Sequence, residues 1–324
     1  MKSWLCDAAA LARPGAMRHT GAMNRAALPP LHILLALAIV AVWGSNFVVI
    51  KLALDALPPL TLAALRFTFV IAPGILFLKR PAAPWRNLAA YGLLIGVGQF
   101  GLMFIAMRGM ISPGLASLVA QMQVFFTIAL AMRLTGERIH GFQLAALALV
   151  GAGLAWLMLH ANAEVTPLGI ALTLLSGAAW AGGNVVARAT PGVNMVAFVV
   201  WASLFSAPPL FVLALVFEGW PAMAHGVAHA SAAIWAAVIW QALGNSIFGY
   251  GCWAWLLARH PAATISPISL LVPVFGMGAS RLLLGEPLPS WKLTAALLVL
   301  SGLAINILWP MVSRRAAAAA VGTA

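Results

Sequence analysis

The sequence predicts an all-helical membrane protein with ten transmembrane helices arranged as two inverted five-helix repeats. Three observations predict this fold. Of the 324 residues, 63% are hydrophobic and 7% are charged, whereas a soluble globular protein carries about 25% charged residues. The apolar residues form runs of about 20, the length that crosses the hydrocarbon core of a bilayer. Finally, the two halves of the chain share motifs in the same order.

Ten apolar segments, bounded by charged residues, Pro and Gly, are long enough to span a membrane. They cover residues 31–51, 59–78, 88–107, 113–133, 141–159, 167–187, 194–217, 233–257, 262–283 and 290–309. The connections between them are short, so no separate soluble domain fits there and function must reside within the bilayer or at its faces. Residues 1–30 and 310–324 are predicted to be cytoplasmic tails, the first of them disordered.

The charged residues indicate orientation. The net charge of +12 comes from 18 Lys and Arg against 6 Asp and Glu. These cations stand singly or in pairs between apolar runs, unlike the clustered basic face of a nucleic-acid-binding protein, so no nucleic acid is expected as a partner. With a cytoplasmic N-terminus, thirteen cations fall on the cytoplasmic side and four on the other. This bias is the positive-inside pattern, and it predicts that both termini are cytoplasmic.

The predicted repeats cover residues 31–160 and 166–309, and each contains five spans. Because five is an odd number, the second repeat inserts with the opposite topology, which is a recurring architecture of secondary transporters. The matching positions in the two repeats are Asn46 with Asn184, Ser117 with Ser266, and Glu137 with Glu286.

Polar and aromatic side chains within the spans are candidates for lining a cavity, because polar groups are costly in lipid unless they serve function or helix packing. Ser117 and Gln121 are four residues apart and are predicted to share a helix face that excludes Gln123. Amides, hydroxyls and aromatic faces suit a ligand with ammonium and carboxylate groups. The predicted substrate-contacting residues are Trp43, Asn46, Gln99, Ser117, Gln121, Trp180, Asn184, Asn245, Tyr250, Trp253 and Ser266.

A second set of residues is predicted to be gating or structural. Prolines open span 4 and interrupt span 9, where freed carbonyls permit either a passive kink or a hinge. Arg66 is the one cation predicted inside a span, and two interpretations stay open: snorkelling or structural pairing, and recognition of a substrate carboxylate. The full set is Arg66, Pro113, Glu137, Pro267, Pro273 and Glu286.

The sequence offers little for catalysis. It has no GxSxG, HExxH or Gly-rich phosphate motif, and its two Cys form no CxxC, so we expect no enzyme activity, metal or cofactor. An intramembrane enzyme or a scaffold is the alternative from a different class. No acidic residue falls at the middle of a span, which leaves two coupling mechanisms open. One is a facilitator, and the other moves protons through edge groups such as Glu137, Glu286 or His260.

Several of these motifs together resemble the EamA-type branch of the drug/metabolite transporter superfamily, over residues 33–309. The segments that carry the resemblance are 43–48, 65–67, 113–119, 121–127, 136–137, 180–184, 249–253, 267–274 and 285–286. The resemblance implies ten helices, cytoplasmic termini and a central cavity lined by spans 1, 3, 4, 6, 8 and 9.

Within that branch the sequence looks most similar to bacterial exporters of O-acetylserine and cysteine. This implies an inner-membrane exporter of small amino-acid-like metabolites, with the lipid bilayer and a small-molecule substrate as its partners. A monomer is expected, although the sequence leaves the oligomeric state open. Transport would proceed by alternating access, with spans 4 and 9 as the moving elements. An exporter of aromatic amino acids, drugs or other amphiphiles is the alternative within transport.

Overall fold

The structure is a computed structural model, and it describes residues 29–135, 140–160, 165–260 and 265–322. Glu137 and most of the predicted N-terminal tail lie outside these ranges. Within them the chain forms helices joined by short turns and loops, and an isolated β-bridge pairs Ile111 with Val165.

Ten helices of the described chain are long and apolar enough to span a membrane, which confirms the predicted number. They are α1 Pro30–Leu54, α2 Pro59–Phe77, α3 Trp85–Met107, α4 Pro113–Leu130, α5 Gly141–Leu159, α6 Pro167–Arg188, α7 Met195–Phe217, α8 Ala232–Leu256, α9 Pro267–Leu284 and α10 Ser290–Pro310. A short helix, Trp220–His229, connects α7 to α8. The last helix extends to Gly322, through most of the segment predicted to be a C-terminal tail.

Proline marks the start of several helices. The first residue of α1, α2, α4, α6 and α9 is a proline. Proline suits this position because its fixed φ matches the helix and its missing N–H would have no intrahelical acceptor there. At α6 a side-chain cap adds to this signal, since Thr166 Oγ1 accepts a hydrogen bond of 3.0 Å from the Gly169 N–H.

Departures from regular α-helix recur in the two repeats. A π-helical segment occupies Leu93–Gly101 of α3, and another occupies Gln241–Phe248 of α8. Tight 3₁₀ turns occupy Ala120–Met122 in α4 and Ser266–Leu271 at the start of α9. These are the third and fourth helices of each repeat, so the duplication extends to backbone irregularities. Such segments are frequent at functional sites.

Close helix packing depends on small residues. On α5, a Cβ added to Gly153 would lie 2.8 Å from Val299 Cγ2 of α10. On α10, a Cβ added to Gly302 would lie 2.6 Å from the Ala146 carbonyl oxygen of α5. Glycine therefore lets these backbones approach, the usual route to helix association in lipid. The outer surface carries exposed apolar side chains such as Phe77, as expected for contact with acyl chains.

Candidate functional site

A cavity of about 620 Å³ lies at the centre of the helical bundle. Its volume is in the range of small-molecule binding sites. Its lining comes from both repeats: α1, α3 and α4 of the first, and α6 to α10 of the second. The six spans expected to line a cavity all contribute, whereas the contributions of α7 and α10 were not predicted.

The structure places nine of the eleven predicted substrate-contacting residues in this lining. They are Trp43, Asn46, Gln99, Gln121, Trp180, Asn184, Asn245, Tyr250 and Trp253. The structure brings these nine side chains together around one cavity, and their contact with a substrate stays a prediction. For Ser266, whose backbone lies in the 3₁₀ segment that opens α9, the side chain is outside the described atoms.

Ser117 does not line the cavity. It is fully buried, its Oγ donates to the Gly114 carbonyl oxygen at 2.7 Å, and it packs tightly against Gly276 of α9. The lining instead includes both Gln121 and Gln123. The 3₁₀ turn explains this, because residues two apart are separated by about 120° around a 3₁₀ axis and by about 160° around an α-helical axis. The structure does not place Ser117 beside Gln121 on the cavity wall, and it adds Gln123, which was expected to face elsewhere.

An aromatic cluster forms one wall of the cavity. The ring centroid of Trp43 lies 5.7 Å from that of Tyr250 and 5.2 Å from that of Trp253. Trp43 Nε1 donates to the backbone carbonyl of Asn245 at 3.3 Å. Gly249 gives the indole its space, because a Cβ there would collide with Trp43 Nε1. Aromatic faces fixed in this way attract an ammonium group.

Amide side chains form the polar part of the lining. Asn184 Nδ2 donates to Gln123 Oε1 at 3.1 Å and to Thr127 Oγ1 at 3.2 Å, which joins α6 to α4. In contrast, buried carbonyl oxygens of Asn46, Gln99 and Asn306 have no partner among the described atoms. A buried polar atom without a partner is costly, so these amides are suited to take a hydrogen bond from water or a ligand.

Thr127 and Asn306 were missed at the sequence level. Each is a polar residue within a span, so the signal was present, but neither has a matching residue in the other repeat to distinguish it.

The cavity reaches one end of the bundle. Its lining includes Arg188 at the end of α6, Met195 at the start of α7 and Asn306 near the end of α10. In these antiparallel helices, the three positions lie at the same end. The opposite end is closed around a buried acidic residue.

That residue is Glu286, in the connection between α9 and α10. Its carboxylate accepts hydrogen bonds from the Ser112 and Ser280 hydroxyls, from the Gly114 N–H at 3.2 Å and from Lys292 Nζ at 2.9 Å. It therefore ties the start of α4 to the end of α9 and the start of α10. Burial acts to raise the pKa of Glu286, but the hydrogen bonds and the Lys292 charge outweigh it and hold that pKa below its usual value.

Arg66 is fully buried beside the cavity wall. The snorkelling interpretation is therefore wrong, because a snorkelling side chain keeps its charged group in water.

Proline begins α4 and lies in the irregular first part of α9. Pro113 is the buried first residue of α4, Pro267 lies in the 3₁₀ segment, and Pro273 follows directly where regular helix resumes at Val272. A gating role for these prolines and for Glu286 stays a prediction.

Residues 30–159 and residues 167–308 each match the EamA-like transporter family. The chain belongs to that family. It is 40% identical over 279 residues to the "Probable amino-acid metabolite efflux pump" of Escherichia coli strain K12, covering 84% of this chain and 93% of that protein. The protein of the same name from Salmonella typhimurium strain LT2 is 38% identical over 288 residues, covering 87% and 96%.

A solved crystal structure that is 21% identical superposes with a TM-score of 0.58 over 86% of this chain and 97% of its own, so the two share a fold. Membership in the EamA-like transporter family confirms the predicted resemblance, and the family is one of membrane transporters.

Proposed function

We propose that this protein exports small amino-acid-like metabolites, of the cysteine and O-acetylserine type, across a bacterial inner membrane. The observation that carries the proposal is the central cavity, whose wall combines aromatic faces with amide carbonyls that have no partner in the described part of the chain. Both are partners for the ammonium group of an amino acid. Two relatives that align over most of this chain bear the name amino-acid metabolite efflux pump, which supports the same substrate class.

Transport proceeds by alternating access in this proposal. With the N-terminus in the cytoplasm, the cavity end at Arg188 and Met195 faces the cytoplasm, and the Glu286 cluster closes the external end. The structure then corresponds to an inward-facing form. Opening to the outside requires α4 and α9 to separate at Ser112 and Glu286, while the opposite end closes.

The test is counterflow in proteoliposomes that contain the purified protein, with labelled O-acetylserine or cysteine outside and unlabelled substrate inside. Uptake above that of empty vesicles is expected. No uptake by correctly folded, reconstituted protein would contradict the proposed function. Discrimination between similar amino acids should be modest, because one methylene in an apolar pocket is worth about 1–3 kcal/mol.

An exporter of aromatic amino acids or other amphiphiles is the second candidate, favoured by the Trp43, Trp180, Tyr250 and Trp253 rings in the lining. The same vesicles distinguish the two. If tryptophan or a cationic dye inhibits O-acetylserine counterflow more strongly than cysteine does, the second candidate is the better description.

Replacing Asn184 with Ala is expected to slow counterflow by about tenfold, since the change removes two hydrogen bonds that hold Gln123 and Thr127 at the cavity wall. Initial uptake rates in proteoliposomes measure the effect. Thr294→Ala, on the exposed face of α10, is the matched control and should transport as the unaltered protein does. Equal rates for the two variants would remove Asn184 from the proposed site.

A pH gradient across the vesicle is expected to leave the counterflow rate unchanged. Among the described residues that line the cavity there is no Asp, Glu or His, so no acid or imidazole titrates where the substrate binds. Counterflow at equal pH on both sides, compared with an imposed gradient, measures this. A strong dependence would favour proton coupling through groups at the edges.

A further inference from the structure

Arg66 is a buried cation without a counter-anion in the described chain. Its side chain has no exposed surface, and its Nε and Nη1 have no hydrogen-bond acceptor among the residues that the structure describes. Nη2 donates to Ser246 Oγ at 3.0 Å. A charge held away from water without a partner of opposite sign is costly, so its retention calls for a compensating ligand.

The acidic residues in the described ranges are all engaged elsewhere. Their partners are Lys51 for Asp55, the Leu60 and Thr61 N–H groups for Glu218, and Lys292 with two serines for Glu286. None of them bonds to Arg66. Within the described protein, the guanidinium is therefore compensated only by a hydroxyl and by aromatic rings.

Arg66 is separated from the cavity by a thin aromatic layer. Its guanidinium carbon lies 3.6 Å from the ring centroid of Phe100. A void of about 10 Å³, room for one water molecule, adjoins Arg66 and is bounded by Phe100 and Tyr250. Both of these aromatic residues also line the central cavity. A rotation of the Phe100 ring away from the guanidinium would join the void to the cavity.

We propose that Arg66 binds the carboxylate of the transported solute once the Phe100 ring has turned aside. Its free N–H groups are donors of the kind that form strong, charge-assisted hydrogen bonds with carboxylates. The ammonium of the same solute then lies toward the Trp43 and Tyr250 rings. This assignment rests on the proposed function, because it places one group of the exported zwitterion. It selects solutes that carry a carboxylate over their neutral derivatives.

The experiment compares O-acetylserine with its carboxamide, which has nearly the same shape but no negative charge, as inhibitors of labelled O-acetylserine counterflow. In the unaltered protein the carboxamide is expected to inhibit at least about tenfold more weakly than the acid. In Arg66→Gln, O-acetylserine should lose affinity until the two compounds inhibit equally. Lys51→Gln removes a cation from an exposed pair on α1 and is expected to keep the tenfold preference.

Arg66→Lys keeps the charge but changes the donors, and it should retain part of the preference, so it serves as the second variant if Arg66→Gln does not fold. Size-exclusion behaviour and thermal unfolding of each purified variant report on folding. Equal inhibition by acid and carboxamide in the unaltered, transporting protein overturns the Arg66 assignment alone. Absence of counterflow in that protein overturns the proposed function, and the assignment falls with it.

Discussion

Replacing Glu286 with Ala is expected to destabilise the protein by about 3–5 kcal/mol, the usual cost of removing one partner of a buried ion pair. The remaining partner, Lys292, has no exposed surface, so its ammonium would lose the Glu286 carboxylate while it stays buried. The variant also removes the carboxylate that accepts hydrogen bonds from the Ser112 and Ser280 hydroxyls. Unfolding of the purified protein in mild detergent, followed by heating or chemical denaturation, measures the loss.

The matched control is Asp55→Ala, which breaks the pair between Asp55 and Lys51 on the exposed end of α1. Exposed pairs of this spacing contribute about 0.3–0.5 kcal/mol. A loss for Glu286→Ala as small as that for Asp55→Ala would show that the Glu286 cluster does not hold the helix ends together.

The same cluster gives stability a pH dependence of defined sign. The pKa of Glu286 is below its usual value in the folded protein, so the folded state favours the carboxylate and the unfolded state binds the proton more readily. The contribution is therefore complete above the unfolded pKa, about 4.3 for Glu, and is lost as the pH falls through the folded pKa. Glu286→Gln should show a flatter decline than the unaltered protein as the pH is lowered through this range.

The sequence predicts the site residues well where the backbone is a regular α-helix and poorly where it is not. Apolar runs of membrane length identified the ten helices, and corresponding amides such as Asn46 and Asn184 led to the cavity. Spacing arguments failed where the backbone is not α-helical. The 3₁₀ turn at Ala120–Met122 brought Gln123 into the lining.

Tertiary partners were also beyond the reach of the sequence. The sequence places Lys292 in the first turn of span 10, and only the fold shows it buried against Glu286. From the sequence, Arg66 could have reached the membrane surface by snorkelling. In the fold, Phe100 of α3 and Ser246 of α8 cover the Arg66 side chain.

The second large effect is expected from Gly44→Ala, at the crossing of α1 and α9. A Cβ on Gly44 would lie 2.5 Å from the Val272 carbonyl oxygen, 2.6 Å from Phe275 Cβ and 2.9 Å from the Gly276 nitrogen. Two of these atoms belong to the backbone of α9, and no side-chain rotation can move them away. The helices must separate, at a cost of about 1–3 kcal/mol.

The matched control is Gly278→Ala, which lies on α9. A Cβ added to Gly278 has no described atom within 4 Å, so this variant should leave stability nearly unchanged. Counterflow measured on both variants reports on transport as well as folding. Gly44 lies one residue from Trp43 and two from Asn46, both in the cavity lining, so separating α1 from α9 displaces the cavity wall as well. If Gly44→Ala lost neither stability nor transport relative to Gly278→Ala, close contact between α1 and α9 would not be required. A transport motion in which α9 rotates against α1 would then not depend on the tight contact at Gly44.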